Sequence, residues 1–331
     1  MSHFFVFRSL NSLNRPKALK SLAMAFICLL LAPSAHATGP LKLGLNWKPE
    51  PQFGGFYAAQ TGKLFEKNGL QVQILPGGSG TPTIQMLGSG QLDYAIVSAD
   101  EIIMAHDRGN SDVVAIFASF QTNPQCILVR EDAPVASLSD LFQNSDFTLL
   151  WQEGLPYAMH MKKKYGPIKV KTAPYTGGIS GILSNPKVAQ QGFATSEPLL
   201  TKAAHLATKT FLVAESGYNP YTTVLATTRK RIQSNQKEIS QMLEAVRSGW
   251  LDYLNGPDKT NQLMNQLNPS MDIATMKDSA TSQRILIQNS DTGSKGVGKM
   301  TEARWSELAR QLKELGVIKG TPNVKNLYWV K

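Results

Sequence analysis

The sequence predicts an α/β protein of two lobes, each a mostly parallel sheet flanked by helices, with a hinge between them. Three observations lead there. Across residues 41–98, short apolar runs alternate with helical patterns, as in strand–helix–strand units of a parallel sheet. Turn-rich breaks at 119–124 and 214–221 divide the later chain, as expected where one lobe is inserted into the other. The chain has 331 residues, 42 % hydrophobic and 18 % charged. That is long for one simple domain and typical of a globular protein with a substantial core.

The first 37 residues stand apart. Arg8, Arg15, Lys17 and Lys20 make a basic start, 21–32 is a short apolar run, and Ser34-Ala35-His36-Ala37 ends in an Ala-x-Ala signal. This reads as a secretory signal peptide over 1–37, cleaved after Ala37. The apolar run is too short for a membrane span. Cys28 follows Phe26-Ile27, which is no lipid-attachment box, so a soluble periplasmic monomer is expected. Without the leader the chain is only mildly basic, and its Lys and Arg are scattered, which argues against nucleic acid as a partner. Cys126 then stands alone in an apolar strand, so no intramolecular disulfide is possible.

Lobe 1 is expected over 38–121, an inserted lobe 2 over 122–221, and a return to lobe 1 with C-terminal helices over 222–331. Lobe 1 begins with a strand at 41–45, a polar aromatic loop and a helix opening Gly54-Gly55-Phe56-Tyr57. A strand at 72–75 leads through a Gly-rich turn to a helix. Strands at 94–97 and 113–117 follow. Lobe 2 carries strands at 126–129, 147–151, 169–172 and 190–194, a capped short helix at 137–141 and a helix ending at Lys164. A strand at 222–227 returns the chain. Beyond Ile232, Ile239, Met242, Leu243, Val246, Trp250 and Leu254 recur at helical spacing until Gly256-Pro257. Trp305, Leu308, Leu312 and Leu315 share one face of a last helix starting at Thr301.

Open parallel sheets bind ligands beyond the carboxyl ends of their strands. Here those ends carry Asn46-Trp47, Gly77-Gly78-Ser79 and Ser98 to Glu101. Trp47 is either core or a stacking wall for a planar ligand, and its polar neighbours favour the wall. Of Phe56 and Tyr57, one is expected in the core and the other near the cleft. Tyr157, Tyr175 and Trp151 offer matching aromatic surface from lobe 2. The turns at 77–81 and 177–180 are either structural or present backbone N–H groups to an anion or carbonyl oxygen. Asp100, Glu101 and Glu197 either face the ligand or are helix N-terminal acids favoured by the dipole. The ligand-binding candidates are therefore Trp47, Tyr57, Tyr157 and Tyr175 as aromatic walls, and Asn46, Ser98, Asp100, Gln121, Thr195 and Glu197 as hydrogen-bonding groups. Gly78, Ser79, Gly177 and Gly178 join them as turn backbone.

Enzyme motifs are not evident. His106, His160 and His205 show no metal-ligand spacing, and no cofactor or catalytic residue is expected. Residues 293–300 nearly fit a phosphate loop, but Met300 stands where a hydroxyl should hold magnesium.

The pattern Asn46-Trp47-x-Pro49, Gly55-Phe56-Tyr57-x-Ala59, Gly69-Leu70-x-Val72, Gly77-Gly78 and Gly90-x-Leu92-Asp93-Tyr94-Ala95 resembles the SsuA/THI5-like group of type II periplasmic binding proteins. The resemblance is densest over 41–124 and continues to about Val317. It implies a hinged two-lobed receptor that delivers a small molecule to an ABC permease in the inner membrane. A thiamine-precursor pyrimidine or a flavin-like heterocycle is the ligand it implies, with sulfonate, taurine or nitrate as the alternative. The group's Gly-aromatic pair followed by Glu-Pro is present as Gly192-Phe193 and Glu197-Pro198. The group also holds thiamine-pyrimidine synthases, which look to a histidine after the Asn-Trp-x-Pro element and to a cysteine-rich motif. Here Gln52-Phe53-Gly54 stands in the histidine's place, so catalysis is not expected.

Overall fold

Among the described residues, ten strands form two five-stranded sheets with the same internal plan. The computed structural model describes Met1 and residues 39–109, 112–288 and 296–330. Apart from Met1, the expected signal peptide over 1–37 and its cleavage point lie outside the described residues, as do 293–295 of the phosphate-loop look-alike.

The strands are β1 (Leu41–Gly44), β2 (Val72–Leu75), β3 (Tyr94–Val97), β4 (Val113–Phe120), β5 (Gln125–Arg130), β6 (Thr148–Trp151), β7 (Lys171–Pro174), β8 (Val188–Phe193), β9 (Thr208–Leu212) and β10 (Thr222–Thr228). One sheet has the order β2-β1-β3-β10-β4 and the other β7-β6-β8-β5-β9. In each sheet three strands pair parallel, and a fourth position, β10 or β5, is antiparallel to both its neighbours. The expected mostly parallel sheets are thus mixed, for a topological reason. Both crossings leave a sheet at the carboxyl end of a strand, so the first strand after each crossing starts there and must run backwards.

Three details depart from the expected elements. β7 starts two residues late because the N–H groups of Lys169 and Val170 are spent on the Phe142 carbonyl, at 2.7 and 3.2 Å. β9 was not expected, because Thr208-Lys-Thr-Phe-Leu212 is a half-buried edge strand without an apolar run. β4 runs on to Phe120, and all eight of its residues are buried.

The Gly-Gly-Phe-Tyr helix, Gly54–Thr61, packs on the long helix Gln236–Asn255. A Cβ on Gly55 would lie 2.2 Å from the Trp250 ring, and one on Gly249 would lie 2.2 Å from the Gly55 carbonyl. These glycines allow the two backbones to approach, so the motif is explained by packing. Residues 296–300 lie against β4, where the Ala118 N–H donates to the Gly298 carbonyl at 3.2 Å. Among the described residues, no helix is long and apolar enough to cross a membrane.

The two crossings, 121–124 and 213–221, are tied together. The Asn123 N–H donates to Asn219 Oδ1 at 2.8 Å. Arg304, on the helix Glu302–Glu314, donates to the carbonyls of Gln121 (2.5 Å) and Asn219 (2.9 Å). Its guanidinium lies 3.8 Å above the Tyr221 ring, a favourable cation–π placement. Arg304 therefore pins both connecting segments at a fixed spacing.

Candidate functional site

A cavity of about 360 Å³ lies between the carboxyl ends of the two sheets, lined from both. Its walls bear amides, hydroxyls, aromatic rings and the four carboxylates Glu50, Asp100, Glu101 and Glu197, and among the described residues no lysine, arginine or histidine lines it. The carboxylate oxygens can accept N–H donors or pair with positive charge on a ligand.

The loop after β1 sets one wall. Trp47 lines the cavity and is only half-buried, and its Nε1 donates to Glu50 Oε1 at 3.3 Å. Glu50 stands between Pro49 and Pro51, so neither helix nor strand can absorb it. Its second oxygen accepts from Ser196 Oγ of the opposite wall at 3.4 Å. Burial, and then the facing Glu197, push the Glu50 carboxyl up to about 7.

Glu197 sets the opposite wall at the start of the helix Glu197–Ala203. One oxygen accepts from Tyr175 Oη and the other from the Phe193 N–H, each at 2.7 Å. These contacts oppose the burial that raises its pKa. Gly192 makes the placement possible, since a Cβ there would lie 2.9 Å from the Glu197 carboxylate. Beside it, Tyr157 Oη donates to Gln191 Oε1 at 2.5 Å, and Gln191 Nε2 donates to Gln152 Oε1 at 2.8 Å. This fixes the orientation of both amides.

After β3, Ser98 caps the helix Ala99–Asp107 in a capping box with Glu101, whose carboxylate accepts the Ser98 N–H at 2.8 Å. Burial, and then Asp100, raise Glu101 to about 7. Asp100 accepts from Tyr218 Oη at 2.8 Å and from Ser98 Oγ. Much of this acidity is therefore committed to holding the loop.

Asn46, Trp47, Ser79, Ser98, Asp100, Tyr157, Tyr175 and Glu197 come together on the cavity. Six other candidates do not line it. Tyr57 is 1 % exposed, and both Phe56 and Tyr57 belong to the core beside Trp250. Gln121 spends its amide on the Ala118 and Lys299 carbonyls, at 3.2 and 3.1 Å. Thr195 is buried and its carbonyl accepts from Ser279 Oγ at 2.5 Å. The Gly78 N–H donates to Thr81 Oγ1 at 2.9 Å, and the Gly77 N–H to the Trp47 carbonyl at 3.0 Å, so this turn braces its own loop. Gly177 and Gly178 have positive φ, and the Gly178 carbonyl accepts from Gln190 Nε2 at 2.9 Å and Tyr175 Oη at 3.2 Å. Trp151 is likewise in the core, against Phe142.

Sequence reading passed over Glu50, Asn123, Gln125, Gln152, Gln191, Thr222 and Thr223, all on the cavity. Glu50 carried a usable signal, a carboxylate between two prolines three residues from the stacking tryptophan. The glutamines carried none, since strand-end amides look like any other. Thr223 is a β-branched residue with φ 50°, a backbone outlier of the sort that clusters at functional sites.

The model of the NMT1/THI5-like family matches residues 50–260, well over half of the chain. The chain belongs to the NMT1/THI5-like family. The matched span includes Glu50, Glu197 and both crossings. A search of curated proteins returns no match. Among solved structures, the chain is similar to the periplasmic aliphatic sulphonate binding protein SsuA of Escherichia coli, at 12 % identity and TM-score 0.65, covering 88 % of this chain and 92 % of that one. It is similar to the alkanesulfonate-binding protein SsuA of Xanthomonas axonopodis pv. citri bound to MOPS, at 11 % and 0.65, covering 88 % and 98 %. A conserved Candida albicans gene product described as having the generic periplasmic binding protein fold matches at 14 % and 0.62, covering 88 % and 96 %. This NMT1/THI5-like chain thus has the two-lobed periplasmic-binding-protein fold expected from its sequence.

Proposed function

We propose that this protein is the periplasmic substrate-binding component of an ABC importer. It captures a small nitrogen heterocycle, a thiamine-precursor pyrimidine or a related compound, and hands it to a permease in the inner membrane. Lobe 1 (38–121 with 222–331) and lobe 2 (122–221) close about the pinned crossings, a standard two-state hinge movement. No covalent chemistry is involved.

One observation carries the reading. The cavity is built from both lobes, with Trp47 on one wall and Tyr175 on the other, and among the described residues no cationic side chain lines it. Aromatic faces and carboxylates suit a flat ring with amino groups. The names of the SsuA neighbours, which speak of aliphatic sulphonate and alkanesulfonate, favour a second reading, a receptor for sulfonate, with taurine or nitrate as the related ligands of that alternative. Against it stand four carboxylates on the cavity and a Gly-rich turn whose Gly77 and Gly78 N–H groups are already bonded. The synthase reading asks for a histidine after the Asn-Trp-x-Pro element, where this chain has Gln52-Phe53-Gly54.

A thermal-shift screen tests this. A ligand that binds only the folded state stabilises by mass action, so aminopyrimidines or flavins are expected to raise the melting temperature while taurine and nitrate leave it unchanged. Stabilisation by the anions alone would overturn the heterocycle reading in favour of the sulfonate one.

A further inference from the structure

We infer that Glu50 and Glu197, one from each lobe, form a carboxylate pair that clamps a planar amidine-like cationic group of the ligand. The inference rests on the receptor reading and adds the charge and polarity of what is bound.

The two carboxylates face each other across the cavity through Ser196, whose Oγ reaches Glu50 Oε2 at 3.4 Å. They differ in how firmly they are held. Glu197 has both oxygens occupied at 2.7 Å, whereas Glu50 has only contacts of 3.3 and 3.4 Å. The groups facing Glu50 are Trp47, Ser196, Glu197 and Lys48. Lys48 is exposed and does not line the cavity. Glu197 meets Tyr175 and the Phe193 N–H. Among the described residues that line the cavity, none is a cation. Partly buried like charges are unfavourable without a proton or a counter-charge, and a flat N–H fork matches carboxylate geometry in two directions at once.

A second, independent feature of the same cavity also asks for a ligand. Asn123 is 0 % exposed and lines the cavity. Its Oδ1 accepts the Gln125 N–H at 3.0 Å, yet its Nδ2 has no partner among the described residues. Thr222, nine-tenths buried at the start of β10 where the returning crossing ends, has an Oγ1 with no partner among them either and lines the cavity too. Buried donors are seldom left unmatched, because desolvation without a bond is costly. A ligand acceptor, such as a ring nitrogen, carbonyl or hydroxyl, would satisfy them. The ligand is therefore polarised, with its cationic donors toward Glu50 and Glu197 and an acceptor toward the crossings.

Three phenyl probes that differ in charge read this out by calorimetry: the planar pair benzamidine (cation) and benzamide (neutral), and the tetrahedral benzenesulfonate (anion). Wild-type protein is expected to bind benzamidine at least tenfold more tightly than benzamide and not to bind benzenesulfonate. Charge-assisted bonds of this kind predict that Glu50→Gln and Glu197→Gln each weaken benzamidine roughly tenfold or more, with little change for benzamide. Melting curves of both variants establish that they are folded. Equal affinity for benzamide or benzenesulfonate, a preference that survives both substitutions, or no binding of benzamidine would overturn the clamp. If an uncharged heterocycle nevertheless compacts the protein in scattering, the receptor reading stands and only the clamp falls.

Discussion

The two lobes share one strand plan but present unlike walls. In each, three parallel strands, one reversed strand and one outer strand recur in the same order. Lobe 1 contributes Trp47 and the loosely held Glu50. Lobe 2 contributes Tyr157 and Tyr175, the cross-bonded amides Gln152 and Gln191, and a firmly held Glu197. The lobe 2 wall is organised in advance, so it loses little freedom on binding, while the lobe 1 carboxylate is still available for new bonds. A shared scaffold thus carries a fixed half-site and an adaptable one.

The largest effect is expected at neither wall but at the pin between them. Arg304→Ala removes two charge-assisted bonds and leaves the Gln121 and Asn219 carbonyls without that donor. A loss of about 3 kcal/mol or more is expected from urea denaturation. A loss under about 1 kcal/mol would mean that Arg304 does not hold the crossings.

Trp47→Ala comes next. As a half-buried stacking wall, its loss should cost roughly 2 kcal/mol or more of ligand binding. It should cost less stability than the 3–5 kcal/mol typical of a core aromatic. If calorimetry finds binding intact while the variant melts early, Trp47 is core and the lobe 1 wall is misplaced.

The sequence revealed the fold better than the site. Strand–helix alternation located β2 and β3 to the residue, and the apolar stripe located the helix Gln236–Asn255. Both signals follow from burial, which writes a period into the chain. The site has no period. Trp47, Ser98, Tyr175 and Glu197 could be read because they follow strands, but the same logic placed Thr195 at the cavity, and the opening of a helix placed Tyr57 near it, when tertiary packing holds both away. The difference between Glu50 and Glu197 lies in hydrogen bonds spanning the lobes, and no local pattern encodes those.

A further effect follows from pH. The carboxyls of Glu50 and Glu101 are raised from 4.5 to about 7 in the folded protein. The folded state therefore holds more protons than the unfolded state between those values, so stability falls as pH rises from about 4.5 through 7. The melting temperature of ligand-free protein should decline over that window, and Glu50→Gln should flatten the decline. An unchanged slope would show that Glu50 is not desolvated. The smallest effect is expected from Thr222→Val. Removing an unpartnered hydroxyl should leave stability nearly unchanged while weakening the ligand a few-fold. A marked loss of stability would mean that Oγ1 already has a partner in the free protein.

Small-angle scattering tests the central claim, that two lobes close around a small molecule, most directly. The radius of gyration should fall when the protein is saturated with the aminopyrimidine that stabilises it most, and the Trp47→Ala variant should show no such fall at the same concentration. Identical scattering of free and saturated wild-type protein would contradict the hinged-receptor account.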